Sequence, residues 1–400
     1  MIVLAAATLV MIIGLAAIAT TRIERRAQRS ANDFAIARSG ARSAIELGFA
    51  GMLGDDAWRD TYKSGVPWLE DVTVGGARLT LTVTDPTDND LTDDPSDPVE
   101  LVGAAVVGDA RHVLRCRAAP QLLPLEALST CLHSTTSIAV ASAKRVVASG
   151  AALSTNGPFV NDGAVTGDIE AAALSGTGTI SGASTVPAPA KAAPDAGVFA
   201  RYLARATSVS VSGTLEHGVL AAGYSSFGAS NADGVYSIAT GGADLVIRGV
   251  RVRGTLVINA GSGTVRIREA VLLEPGRADY PALIVQGSCE LDLDRASARL
   301  RESAYSTNFN PVGAPYSGAS DNDTADTYPS ELRGLVHVRG RVTFKQRATI
   351  RGVLIAEGAV GFDDDAYLEH DSTLVEQPPD GYTELGPMTL KAGSFERVVE

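Results

Sequence analysis

The stretch DPTDNDLTDDPSD, residues 85–97, holds six aspartates, one asparagine and two prolines in thirteen positions. Hard oxygen donors at that density suit Ca²⁺, which takes about six to eight carboxylate, amide and backbone oxygens. Asp88, Asn89, Asp90, Asp93 and Asp94 are the candidate ligands. The spacing is not that of an EF-hand: counting from Asp88, the sixth position is Asp93 where Gly is needed, and the twelfth is Val99 where Glu is needed. The same residue types also favour solvated turns, which is the plainer reading of the segment.

Other chemistry-bearing residues are dispersed. Asp363, Asp364 and Asp365 share one turn, and Asp292 and Asp294 another, so carboxylates of the kind used on glycosidic bonds are present. The five histidines (112, 133, 217, 337 and 370) are scattered, and His337, beside arginines, reads as an outward strand residue. The chain has no Gly-x-Ser-x-Gly, phosphate-cradling or dinucleotide fingerprint. It is therefore expected not to be an enzyme and to carry no cofactor beyond the candidate Ca²⁺. Cys116, Cys131 and Cys289 show no metal-ligand spacing. Cys116 and Cys131 could pair in an oxidising compartment, or all three could be buried thiols.

Aromatic residues make up 5% of the chain against 41 glycines, which favours tight turns over a large aromatic-lined pocket. Net charge is −12. Residues 1–50 carry six arginines against three acids, so the remainder stands at −15. So acidic a body disfavours nucleic acid, whose phosphates must be neutralised by Lys and Arg.

These residues depend on the elements that hold them. Residues 1–19 are uninterrupted apolar sequence, about 28 Å long as a helix and so matched to a bilayer core. A cleaved signal needs a basic start and a shorter apolar run, so an anchor in the lipid bilayer is expected. Ile23, Ala27, Phe34, Ala37, Ala41, Ile45, Gly48 and Met52 continue a helical stripe. This pattern predicts one transmembrane and amphipathic helix over 1–53; an anchor with a separate short helix is the alternative. The arginines after residue 21 would, by the positive-inside rule, hold the C-terminal side of the span in the cytoplasm.

Residues 54–120 read as a small antiparallel β unit. ARLTLTVTD (77–85) alternates apolar and polar positions, and residues 97–118 read as two strands about Gly108.

An apolar helix running into RIERRAQRSAND and then the Ala/Ser-rich ARSGARSAIEL resembles the N-terminal region of type IV pilus minor pilins and of the minor pseudopilin that caps the type II secretion pseudopilus. The strand, Asp/Asn-rich loop and two-strand pattern is similar to the β unit that follows the helix in minor pilins. The resemblance covers residues 1–55, with weaker support to 118. It implies a helix that first anchors the subunit and then packs against other pilin-like subunits. It also implies an inner-membrane single-pass protein with a periplasmic or extracellular body. Bulk pilins carry Glu at position 5; Ala5 here implies a tip or initiating subunit. The family's basic leader would precede Met1. Some pseudopilins bind calcium in this loop region.

Beyond residue 120 the composition shifts. Residues 121–209 read as a linker with Gly/Ala/Ser-rich irregular β coils, and 198–209 as one helix. Residues 333–350 and 351–368 match at a period of eighteen: Gly334 with Gly352, Gly340 with Gly358, Val342 with Val360, Phe344 with Phe362, Ala348 with Ala366, and Ile350 with Leu368. Looser copies occupy 248–273 and 282–293. A coil of short strands stacked at about 4.8 Å gives a right-handed parallel β-helix over 210–376, bactofilin-like or pectate-lyase-like. Residues 303–330 read as a loop thrown out of one coil, and 377–400 as a C-terminal tail. Such a body would act as a spacer or bind a surface polysaccharide or protein ligand. A membrane-tethered polymer-forming scaffold and a polysaccharide-active enzyme are the alternatives.

Overall fold

The computed structural model describes residues 2–293 and 299–399. The chain forms two compact units, one of residues 1–123 with 385–400 and one of residues 124–384.

In the first unit the N-terminal segment is a single helix, α1 (Ile2–Gly54), unbroken by Gly40 or Gly48. Ala37, Gly40, Ala41, Ala44, Ile45, Gly48 and Met52 are buried. Their i, i+3, i+4, i+7 spacing puts them on one face. The strands β1 (Pro67–Val74), β2 (Ala77–Thr84), β3 (Val99–Val107) and β4 (Ala110–Pro124) form an antiparallel meander in that order. A four-residue helix, α2 (Trp58–Thr61), precedes β1.

Side chains of β2 alternate between buried and exposed, and Leu79, Leu81 and Val83 face the core with Leu101, Ala105 and Cys116. Small residues allow close approach of helix and sheet. A Cβ on Gly40 would lie 2.9 Å from Ala105 Cβ, and one on Gly103 would collide with the Ala41 carbonyl oxygen. The predicted stripe is buried only from Ala37 on: Ile23 and Phe34 stay 67% and 47% exposed.

The C-terminal residues are not a free tail. Strands Thr383–Leu390 and Glu396–Arg397 pair with β4, and Met388 joins the core under α1. All three cysteines are buried free thiols. Burial pushes Cys116 up to about 11 and Cys289 up to about 12, so they behave as small apolar residues.

The second unit is built on one 21-stranded sheet, parallel among the described residues except for one hairpin. All six sequence-matched pairs are stacked or adjacent. Gly334 pairs with Gly352, Val342 with Val360, Phe344 with Phe362, Ala348 with Ala366 and Ile350 with Leu368. The two phenyl rings stack with centroids 4.5 Å apart. A Cβ on Gly358 would come within 2.6 Å of Gly340 backbone, which explains the glycine recurrence.

The order of strands differs from the order of the chain. Parallel pairs run from Thr214–Ala221 to Leu245–Arg253, then through strands at 255–269, 283–293 and 331–338 to Ala348–Ala356. The next neighbour is Leu132–Ser134, followed by Leu153–Asn161, Ile169–Ser175 and Ser184–Thr185. The border expected at 209/210 is therefore not a border of the sheet. Leu132, Ile138, Phe159 and Val165 share one core with Val342, Phe344 and Phe362. Small, Gly-rich outer positions made 121–209 look irregular, while its inward residues are as apolar as the rest. The helix expected over 198–209 is the shorter Val198–Leu203.

The excursion expected as a loop at 303–330 carries a packed structure of its own. Strands Arg299–Arg301 and Thr327–Pro329 pair antiparallel at its base, and Leu300, Phe309, Ala314 and Tyr328 form a small core with Val219 and Leu272.

Candidate functional site

The acidic loop joins β2 to β3, whose register pairs Thr84 with Glu100. That pairing sets the two feet of the loop, Asp85 and Asp97, beside each other. Carboxylate oxygens of Asp85, Asp88, Asp93 and Asp97 all lie within 4.8 Å of one another. Two oxygens that each sit about 2.4 Å from one Ca²⁺ can be no more than about 4.8 Å apart, so the four fit a shared ion.

Asp85 is 2% exposed; its Oδ1 accepts the Thr87 N–H at 2.7 Å, and its Oδ2 has no hydrogen-bond partner. A buried carboxylate oxygen without a donor is costly unless a cation faces it. A hydrogen bond to Asp88 raises the Asp93 carboxyl above its ordinary range. Desolvation, followed by the charges of Asp85, Asp94 and Asp88, raises Asp97. Arg59 on α2 donates to the Leu91 and Asp97 carbonyls at 3.2 and 2.5 Å and lies 4.7 Å from the Trp58 ring centroid.

Of the five residues singled out in the sequence, the structure brings Asp88 and Asp93 into this cluster. The other three serve the loop's backbone. Asn89 Oδ1 accepts from Ser64 Oγ at 2.8 Å, and that same Oγ accepts the Asp85 N–H. Asp90 accepts from the Thr92 amide and hydroxyl, Asp94 from those of Ser96, and these bonds hold both carboxyls below the usual range. Asp85 and Asp97 went unnoticed as ligands because each reads as a strand-end turn residue; their position at both feet of one hairpin loop was the available signal.

The carboxylates weighed for glycoside chemistry are engaged between neighbouring strands. Asp363 pairs with Lys345 at 2.6 Å, Asp364 with Lys144 at 3.3 Å and Asp292 with Arg268 at 2.9 Å, while Asp365 accepts the Arg145 N–H. Asp294 lies outside the described residues. His337 departs from its expected surface position. It is 2% exposed, with Nδ1 2.9 Å from the Tyr382 hydroxyl and Nε2 3.0 Å from Glu357. The returning segment before residue 385 lays Tyr382 over an outward strand position.

The apolar half of α1 is the other functional surface. Leu9, Val10, Met11, Ile12, Ile13, Leu15 and Ile18 are each more than half exposed, so the helix is apolar all round with nothing covering it. It is the one helix among the described residues long and apolar enough to cross a membrane.

No family model matches the chain. No curated protein matches it either. Among solved structures, the crystal structure of the competence-associated pilin ComZ from Thermus thermophilus is similar at 11% identity and a TM-score of 0.35. The match covers 93% of this chain and 98% of that one.

Proposed function

We propose that the chain is a non-enzymatic, pilin-like subunit of the cell envelope, anchored by α1, which carries a parallel β-helix as a spacer or binding surface. The observation that carries this reading is the division of α1. One uninterrupted helix is exposed and apolar up to the arginines that begin at Arg22, and from Ala37 on it buries one face on its own sheet. A plain anchor needs only the first property; a stalk shared by membrane and filament needs both. In such an assembly Gly14, Ala16 and Ala17 permit close helix packing with other subunits. The 21-stranded sheet is read as the β-helix because its strands stack in parallel, those of residues 331–369 at an eighteen-residue step. Ca²⁺ at Asp85, Asp88, Asp93 and Asp97 would fix the β2–β3 loop.

The test is disulfide cross-linking of the Gly14→Cys protein in native membranes. Cross-links to other pilin-like subunits, and recovery in sheared filaments, are expected. Extraction from membranes by carbonate, or lack of any inter-subunit cross-link, would overturn the reading.

A second reading, a tethered scaffold polymerising through the β-helix, is favoured by the exposed edge at Ser184–Thr185, where Leu174 and Val186 are 40% and 41% exposed. Filaments seen by electron microscopy for residues 124–384 alone would favour it.

A further inference from the structure

The lobe of residues 302–330 is held firmly. Arg251, 1% exposed, donates to the carbonyls of Phe309, Ala314 and Pro315 at 2.8, 2.8 and 2.9 Å. At the centre of the lobe lies Glu302, which is fully buried. Its Oε1 accepts the Phe309 N–H at 2.6 Å and the Tyr328 hydroxyl at 3.0 Å; its Oε2 accepts the Asp326 N–H at 3.0 Å. Oxygens of Glu302, Asp321 and Asp326 lie within 4.8 Å of one another. Among the described residues no Lys, Arg or His pairs with any of the three. Two carboxylates thus converge on a buried third, with no positive group among the described residues to offset them.

Asn310 supplies an independent sign. It is 2% exposed, its Nδ2 donates to Asp321 Oδ2 at 3.3 Å and Asp326 Oδ2 at 3.1 Å, and its Oδ1 is buried with no partner. The amide N–H₂ thus occupies the gap between two carboxylates, where the site wants positive charge, and leaves the oxygen stranded. Half a turn of the amide exchanges the two atoms. It then directs Oδ1 into the gap, as a ligand to a cation lying between Asp321 and Asp326.

We propose that Glu302, Asp321, Asp326 and Asn310 form a Ca²⁺ site that locks the 302–330 lobe. All four donors are hard oxygens, with no nitrogen or sulfur, which selects Ca²⁺ over zinc-type ions. Glu302 holds the site to the lobe backbone through Phe309 and Asp326, so the ion ties both ends of the excursion together.

The test uses Tb³⁺ as a Ca²⁺ substitute on the full chain in detergent. Tyr328 touches Glu302 and Asp326 through its hydroxyl, so tyrosine excitation reports this site. Both tryptophans, Trp58 and Trp68, belong to the other unit and report the Asp85 cluster instead. In an Asp88→Asn/Asp93→Asn background, tyrosine-sensitised emission that Ca²⁺ displaces is expected. Asp321→Asn/Asp326→Asn should weaken binding by about tenfold or more. Asn310→Asp separates the proposal from a purely structural amide: a ligand position gains a carboxylate and binds Tb³⁺ more tightly. A merely donating amide would lose its bonds, and Tb³⁺ affinity would stay flat or fall. Absent tyrosine-sensitised emission, emission undiminished in Asp321→Asn/Asp326→Asn, or an Asn310→Asp protein that binds no tighter overturns the site.

Discussion

Leu132 and Leu354 occupy paired positions on neighbouring parallel strands, although one opens the second unit and the other lies in its last long strand. The chain lays down strands from 132 to 185 outward from that junction. It then passes through residues 186–206 and returns strand by strand from the opposite end until residues 354–356 close on 132–134. Both leucines are fully withdrawn from solvent, and one ladder of apolar side chains runs across the junction.

Leu132→Ala and Leu354→Ala should each destabilise the protein by about 2–5 kcal/mol, the range for an emptied core position. Because the two side chains are neighbours, the double variant should lose less than the sum. Urea denaturation followed by circular dichroism on the four proteins of the cycle measures this; strict additivity would show that the two halves of the sheet do not share a core.

Gly103→Val should loosen α1 from its sheet. The added Cβ meets the Ala41 carbonyl, which is backbone and cannot rotate away. Overpacking of this kind costs about 1–3 kcal/mol. Limited proteolysis within 30–54 should accelerate in the variant while strands of residues 124–384 keep their protection. An unchanged cleavage rate would argue against helix docking at Gly103.

The legibility of the fold in the sequence depends on like meeting like. Phe344 stacks on Phe362 and Gly340 on Gly358, so neighbouring strands with equal turns betray themselves as a sequence repeat. The junction at Leu132 leaves no such trace. Ile138 and Val146 follow Leu132 by six and fourteen residues, whereas Val360 and Ala366 follow Leu354 by six and twelve. A turn longer by two residues removes the phase while leaving the inward side chains stacked. Helix α1 was legible through its stripe, but the point at which burial begins depends on where the sheet ends. Asp88 and Asp93 could be picked by composition. Asp85 and Asp97 join them through strand register, and His337 is covered by Tyr382 from forty-five residues away; neither relation has a local signature.

Stability of the second unit should carry an acid limb from His133. Burial, reinforced by Lys191, pushes this imidazole down to about 4 from 6.5, with Glu170 opposing. Its Nδ1 lies 3.2 Å from Ser154 Oγ and its Nε2 has no partner. A depressed histidine contributes its full stabilisation above about pH 6.5 and loses it as pH falls towards 4, a change of about 3 kcal/mol. Unfolding free energies of wild type and His133→Asn across that window should converge as pH falls. A constant difference would show that His133 does not titrate on unfolding.

The acidic loop should change the sign of its response with Ca²⁺. The Asp93 carboxyl is raised by its bond to Asp88, so without a cation its ionisation opposes the folded loop. A raised carboxyl contributes stability at low pH and loses it as pH climbs through the folded value. Asp93→Asn removes that repulsion, so in chelator the variant loop should be the more protected at neutral pH. Added Ca²⁺ should stabilise wild type through mass action and the variant much less, because one ligand is gone. Arg59 joins the loop carbonyls to the Trp58 ring, so tryptophan fluorescence reports both states. Calcium that protects wild type and Asp93→Asn equally would remove Asp93 from the ligand set, and a wild-type loop indifferent to pH in chelator would show that Asp88 and Asp93 do not oppose each other's ionisation.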